Sequence, residues 1–247
     1  MIRTSMSAPY LLDLHDPTVF PDVAEALLEP DGLLAIGGDL SVERLLAAYR
    51  QGIFPWYSDG QPILWWSPDP RAVLFPGELK ISRSLKKTIR KQKYTVRMDS
   101  AFADVIAACA EPRKNAQGTW ITDEMAQAYI RLHEHGYAHS VEAWCDDQLV
   151  GGLYGISIGH VFFGESMFTR QTDASKVAFT FLVTQLRQQN FGVIDCQVFS
   201  THLETLGARV IPRENFINLL NQFCDSPVKN NKWTLDVTTN DVISAYE

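Results

Sequence analysis

Three polar side chains stand where the surrounding residues are apolar, and their chemistry is that of proton handling and amine recognition. In Ile194-Asp195-Cys196-Gln197-Val198 the alternation of a β-strand puts Asp195 and Gln197 on one face and Cys196 on the other. A carboxylate beside an amide in an apolar strand costs stability unless paired, so the two are either hydrogen-bonded structure or a working site. In Gly164-Glu165-Ser166-Met167-Phe168 a second carboxylate, Glu165, is framed by Phe163, Met167 and Phe168. Glu165 beside Asp195 would make an electronegative pocket suited to a cationic amine. A different chemistry, stacking, is offered by the seventeen residues Phe54 to Pro70, which hold three of the six tryptophans and four prolines. Proline fixes φ and removes a donor, so this composition predicts Trp56, Trp65 and Trp66 displayed on irregular backbone as a wall for a flat ligand. The competing reading is an aromatic packing plug between two layers.

The elements that must carry these residues follow from periodicity and caps. Ser41 to Gly52 reads as a short helix with Ser41 as N-cap, Leu45, Leu46 and Tyr49 apolar, and Gly52 past its end. Further helices are expected at Ser100–Ala110 and Thr122–His135, the latter closed by Gly136, with Trp120 just before its cap. From His139 the texture changes to strands, Ser140–Cys145, Leu149–Ile158 and Val161–Phe168, joined by turns at Asp146-Asp147 and Gly159-His160. Asp173 is placed to cap a helix running to Gln189 with Phe179, Leu182, Val183 and Leu186 on one face, and Val193–Phe199 returns as a strand. The tail beyond Cys224 is polar and expected to be loosely ordered, with Trp233 as a pin.

A meander of three strands, a helix and a returning strand resembles the GNAT acyltransferase core, in which a central sheet splays to admit an acyl donor. The glycine-rich pyrophosphate loop of acetyl-CoA enzymes is missing, because Thr169-Arg170-Gln171-Thr172-Asp173-Ala174 contains no glycine. The expected architecture is therefore α/β of the α+β type. A small N-terminal domain over residues 1–70 precedes a GNAT-like domain over 71–247 with a mostly antiparallel central sheet flanked by helices.

A net charge of −7 argues against nucleic acid until its distribution is considered. Between Lys80 and Arg97 lie eight of the 22 basic residues and no acid, leaving fourteen against 29 acidic residues elsewhere. Ile81, Leu85 and Ile89 recur every four residues there, an apolar stripe on a helix whose other faces carry Arg83, Lys86, Lys87, Arg90 and Lys91. That field suits a phosphate backbone, and the alternative is a solvated charged face. The four cysteines show no paired spacing, which suits free thiols in a reducing cytoplasm, and the N-terminus shows neither signal peptide nor anchor. His133 and His135 point in different directions on a helix, so no metal is expected.

Several of these segments occur in a fixed order. Gly37-Gly38-Asp39-Leu40, Gly52-Ile53-Phe54-Pro55-Trp56, Leu64-Trp65-Trp66-Ser67-Pro68-Asp69-Pro70-Arg71, Gly118-Thr119-Trp120-Ile121, Gly164-Glu165-Ser166-Met167-Phe168 and Ile194-Asp195-Cys196-Gln197 together resemble the leucyl/phenylalanyl-tRNA-protein transferases. The resemblance, over about Leu27 to Leu220, implies a bacterial cytoplasmic enzyme without cofactor or metal. Such an enzyme moves Leu or Phe, with Met as a further substrate, from aminoacyl-tRNA to the N-terminal amine of proteins beginning with Arg or Lys, marking them for degradation. It implies that Trp56 and Trp120 stack on the tRNA's terminal adenosine. It makes Leu153, Phe162, Met167, Leu182 and Ile194 the pocket for the transferred side chain, and the helix from Arg83 to Lys91 the tRNA-facing patch. The reaction would be aminolysis of an ester by an α-amine of ordinary pKa about 7.7–8.0, for which a modest base suffices. Asp195 would orient Gln197 and steer or deprotonate that amine, with Glu165 positioning the substrates. Two other classes remain open at this point: a CoA-dependent N-acyltransferase and a non-catalytic tRNA-binding protein.

Overall fold

The computed structural model describes residues 8–112, 119–226 and 232–246. Gly118, at the head of one of the segments above, lies outside them. The first part of the chain builds a small sheet from β1 (Tyr10–Leu12), β2 (Leu33–Gly37), β3 (Phe54–Pro55) and β4 (Leu64–Trp66), with α1 (Val42–Arg50) between β2 and β3. Its strand order is β1-β2-β4-β3, parallel only at β1–β2. Ser41 caps α1 by accepting from the Arg44 N–H, and Gly52 after the helix adopts φ +74°, the left-handed conformation that glycine takes without strain.

The aromatic and proline-rich segment is more regular than its prolines suggested. Phe54 pairs with Trp66 and Pro55 with Trp65 in an antiparallel ladder. Pro55 is tolerated because β3 is the edge strand, where a missing N–H costs no sheet hydrogen bond. The three tryptophans then divide. Trp65 is fully buried and donates its indole N–H to the Gly37 carbonyl, so for this residue the packing reading is correct. Trp56 is 45% exposed, and Trp66 is half-buried beside it with ring centroids 5.8 Å apart.

The rest of the chain builds a seven-stranded sheet. In chain order it contains β5 (Arg71–Leu74), α2 (Arg83–Arg90), β6 (Thr95–Met98), α3 (Phe102–Ala110), α4 (Asp123–Glu134), β7 (Ala138–Cys145), β8 (Gln148–Ile158), β9 (Val161–Thr169), α5 (Ala174–Gln188), β10 (Val193–Gln197), α6 (Thr201–Thr205), β11 (Arg209–Ile211), α7 (Arg213–Phe223) and α8 (Thr239–Ala245). The order across the sheet is β11-β5-β10-β9-β8-β7-β6, and β9–β10 is its parallel pair. The meander, long helix and returning strand thus stand as the GNAT pattern predicts. Alternating strand residues feed two cores: Tyr154, Ile156 and Phe163 meet α1, α3, α4 and α7, while Leu153, Phe162 and Ile194 meet α2, α5 and α8.

Two local expectations differ. Asp173 precedes α5 but sits at φ +66° and makes no capping bond with its side chain; its carboxylate instead accepts from the Thr88 hydroxyl at 3.3 Å. The C-terminal segment is ordered over 232–246. The Trp233 indole stacks on the His139 imidazole at 3.9 Å, and Thr238 with Asp241 forms a capping box that starts α8, whose Val242 is buried. A polar composition hid this segment because few apolar residues suffice when an aromatic stack fixes one end.

Candidate active site

Strands β9 and β10 pair through Val161↔Val193, Phe162↔Ile194 and Phe163↔Asp195, and then diverge. Between the diverging ends lies a cavity of about 1300 Å³, walled by residues of β9 from Gly164 to Thr169 and of β10 from Ile194 to Gln197. A β-bulge sits at the divergence on each strand. On β9, Ser166 faces Tyr154 and Gly164 faces Gly155, leaving Glu165 as the extra residue. On β10, Asp195 faces Val73 and Gln197 faces Ala72, leaving Cys196 as the extra one. Bulges re-aim side chains and end pairing, which is their use beside active sites.

The bulges decide where each predicted residue points. Phe162 and Met167, five positions apart, share a face because the bulge at Glu165 resets the alternation; they lie opposite Ser157 and Leu153. The same effect corrects the placement of Asp195 and Gln197. Their partners Val73 and Ala72 are adjacent and so face opposite ways, and Gln197 itself adopts φ +60°.

Asp195 is fully buried, and both its oxygens are occupied. Arg71 donates Nε–H to Oδ1 at 2.8 Å and Nη2–H to Oδ2 at 2.7 Å, and the Gln197 backbone N–H donates to Oδ1 at 2.8 Å. The guanidinium is itself held between the rings of Phe54 and Phe216, at 4.7 and 4.8 Å, and donates to the Gly52 carbonyl at 3.1 Å. Asp195 therefore fixes the turn that presents Gln197, and its charge is neutralised by Arg71. The Cys196 thiol, between them, is pushed up by burial and by the charge of Asp195.

Glu165 occupies the pocket side of this pair. Its Oε1 accepts from the Tyr49 hydroxyl at 2.8 Å and from Gln197 Nε2–H at 2.7 Å; its Oε2 accepts from the Tyr129 hydroxyl at 2.8 Å. The two hydroxyls also approach each other at 2.6 Å. Burial raises the Glu165 pKa to about 7, the tyrosine and Gln197 hydrogen bonds pulling it down and the Asp195 charge pushing it up. Burial, then the Glu165 charge, holds Tyr49 and Tyr129 well above the ordinary phenol range, so both stay protonated.

Trp56 and Trp120 both line the cavity, as do Leu153, Phe162, Met167 and Ile194. Leu182 is fully buried in the same apolar cluster and is not among the lining residues. The basic helix α2 lies outside the cavity wall, with Leu85 and Ile89 buried as the stripe predicted. Arg83, Lys87, Arg90 and Lys91 are exposed, whereas Lys86 is half-buried and donates to the Tyr246 carbonyl. The helix reaches the cavity edge through Thr88 and Asp173.

Known proteins match most of the chain. Residues 73–221 match the family model described as leucyl/phenylalanyl-tRNA protein transferase, and residues 38–69 match that of its N-terminal domain. The chain belongs to the leucyl/phenylalanyl-tRNA protein transferase family. Among its relatives, a leucyl/phenylalanyl-tRNA–protein transferase from Nitrosomonas eutropha is 58% identical over 91% of this chain and 96% of its own length. One from Stutzerimonas stutzeri is 61% identical over 86% and 94%. A solved structure titled "The structure of L-PGS from Bacillus licheniformis" overlaps with a TM-score of 0.38 at 11% identity, covering 68% of this chain and 54% of that one, a likeness that carries no argument.

Within this transferase, sequence reasoning gave no role to Arg71, Tyr49 or Tyr129. Arg71 stood at the head of an apolar strand, where a charge must find a partner, and that was its signal. The tyrosines occupied apolar helix positions and were indistinguishable from core residues, since only the fold shows their hydroxyls converging on Glu165.

Proposed function

We propose that this protein transfers leucine or phenylalanine from aminoacyl-tRNA directly to the N-terminal α-amine of proteins beginning with Arg or Lys. The observation that carries the mechanism is the orientation of Gln197. A carboxylate only accepts hydrogen bonds, so Glu165 fixes the Gln197 NH₂ toward itself and turns the amide oxygen Oε1 away. Gln197 lines the cavity, and its Oε1 is the acceptor available to an incoming amine. Asp195 and Arg71 act one step behind, holding the turn.

Trp56 and Trp120 take the terminal adenosine by stacking. Leu153, Phe162, Met167 and Ile194 receive the aminoacyl side chain, and Leu182 backs that pocket. Amine and ester then meet beside Gln197, and alignment supplies much of the acceleration. The reading includes a division near residue 70, supported by the separate family matches on either side of it, and tRNA binding along α2. It also places the protein in the cytoplasm. No helix among the described residues is long and apolar enough to cross a membrane.

The test is transfer of labelled Phe from charged tRNA to a peptide starting with Arg, with the N-acetylated peptide as control. Label is expected on the free peptide alone. No transfer to either would overturn the reading.

A further inference from the structure

Tyr49, Tyr129 and Glu165 close a triangle of oxygen contacts, 2.6 Å between the hydroxyls and 2.8 Å from each hydroxyl to its own carboxylate oxygen. Each edge is short enough for a hydrogen bond and so has room for one proton. Two phenols supply two protons. With Glu165 ionised, one of the three edges is left without a hydrogen. With Glu165 protonated, the ring closes head to tail: Oε2–H to Tyr129, Tyr129 to Tyr49, Tyr49 to Oε1, with Gln197 Nε2–H still donating to Oε1.

Resting on the transferase reading above, we propose that Glu165, Tyr49 and Tyr129 form a proton relay. The ring accepts the proton lost by the attacking α-amine and returns it to the 3′-oxygen of the tRNA. The nitrogen lone pair forms the C–N bond at the ester carbonyl, and the N–H proton passes to Glu165. The C–O bond then breaks with its electron pair going to the ribose oxygen, which takes the proton back from Glu165. The ring ends as it began. Glu165 is the catalytic acceptor, and the two tyrosines are positioning residues whose hydrogen bonds make room for the extra proton. The other groups facing the carboxyl are Gln197, Tyr154 from β8, and Asp195, which Arg71 neutralises.

Single-turnover transfer from Phe-tRNA to an Arg-initiated peptide tests this in Tyr129→Phe and Tyr49→Phe, each of which opens the ring. Melting temperature and Phe-tRNA affinity are measured in parallel. Transfer should fall roughly 10–100-fold in each variant with affinity kept. After correction for the neutral fraction of amine, the wild-type rate should rise through a step near pH 7. In Tyr129→Phe that step should move to higher pH, because the charged carboxylate has one hydrogen bond fewer. Wild-type rates, an unmoved step, or losses that track affinity or melting temperature would overturn the relay. Absence of transfer by the wild-type protein would instead overturn the underlying reading.

Discussion

Asp195 and Glu165 are both carboxylates in apolar surroundings, yet their partners give them opposite characters. Asp195 lies against a guanidinium with both oxygens engaged, and it acts on the backbone of Gln197. Asp195→Asn would leave Arg71 as a buried, uncompensated cation, and breaking such a pair costs about 3–5 kcal/mol. The variant should therefore melt well below wild type and lose transfer together with stability. A stable Asp195→Asn variant with impaired transfer would show that the carboxylate acts in the chemistry itself. Glu165 has only neutral donors around it, and its pKa is raised in the fold. Its contribution to stability is thus fully present below the ordinary value of 4.5 and is lost as pH rises through about 7.

At the scale of elements, the two bulges do what the strands alone cannot. Period-two reasoning located β8, β9 and β10 and their apolar residues, but a single extra residue inverts every side chain beyond it. That is why Asp195 and Gln197 were legible as a pair and their relative direction was not. The same inversion brings Phe162 and Met167, which strict alternation over five positions would separate, to one pocket. Gly155 is the residue that lets the β9 bulge form. A Cβ there would stand 2.3 Å from the Phe163 carbonyl oxygen and 2.6 Å from the Phe162 ring. Gly155→Ala should cost about 1–3 kcal/mol or more by overpacking, and should reduce transfer by shifting Glu165 out of its ring. Thermal unfolding alongside transfer checks this, and an unaffected protein would mean the strand yields without moving the site.

Over the whole molecule, charge is unevenly spread: in an acidic chain, eight of the 22 basic residues fall between Lys80 and Arg97 with no acid among them, in and around α2 beside the cavity edge. That concentration was visible in sequence because a run of eight cations without an acid needs no fold to be seen. The run did not reveal that Lys86 is turned inward to the Tyr246 carbonyl, since the C-terminal segment that provides this acceptor gave little signal of its own. Arg83→Glu with Lys87→Glu, both exposed, should weaken tRNA binding and reduce the salt dependence by about one unit of slope for each phosphate no longer neutralised, with the melting temperature unchanged. An unchanged affinity and slope would make α2 a solvated face. The chemistry is proposed to occur at the parting of β9 and β10, with Glu165 as its ionisable group. This is tested most directly by single-turnover transfer of labelled Phe to an Arg-initiated peptide by Glu165→Gln, measured with its Phe-tRNA affinity and melting temperature. Glutamine matches the protonated acid, with one oxygen that accepts and an NH₂ that donates in the place of Oε2–H, but it cannot take a proton. Transfer should fall by about 10²–10⁴ while affinity and folding are retained. Transfer at the wild-type rate by a folded Glu165→Gln protein would remove Glu165 from the chemistry.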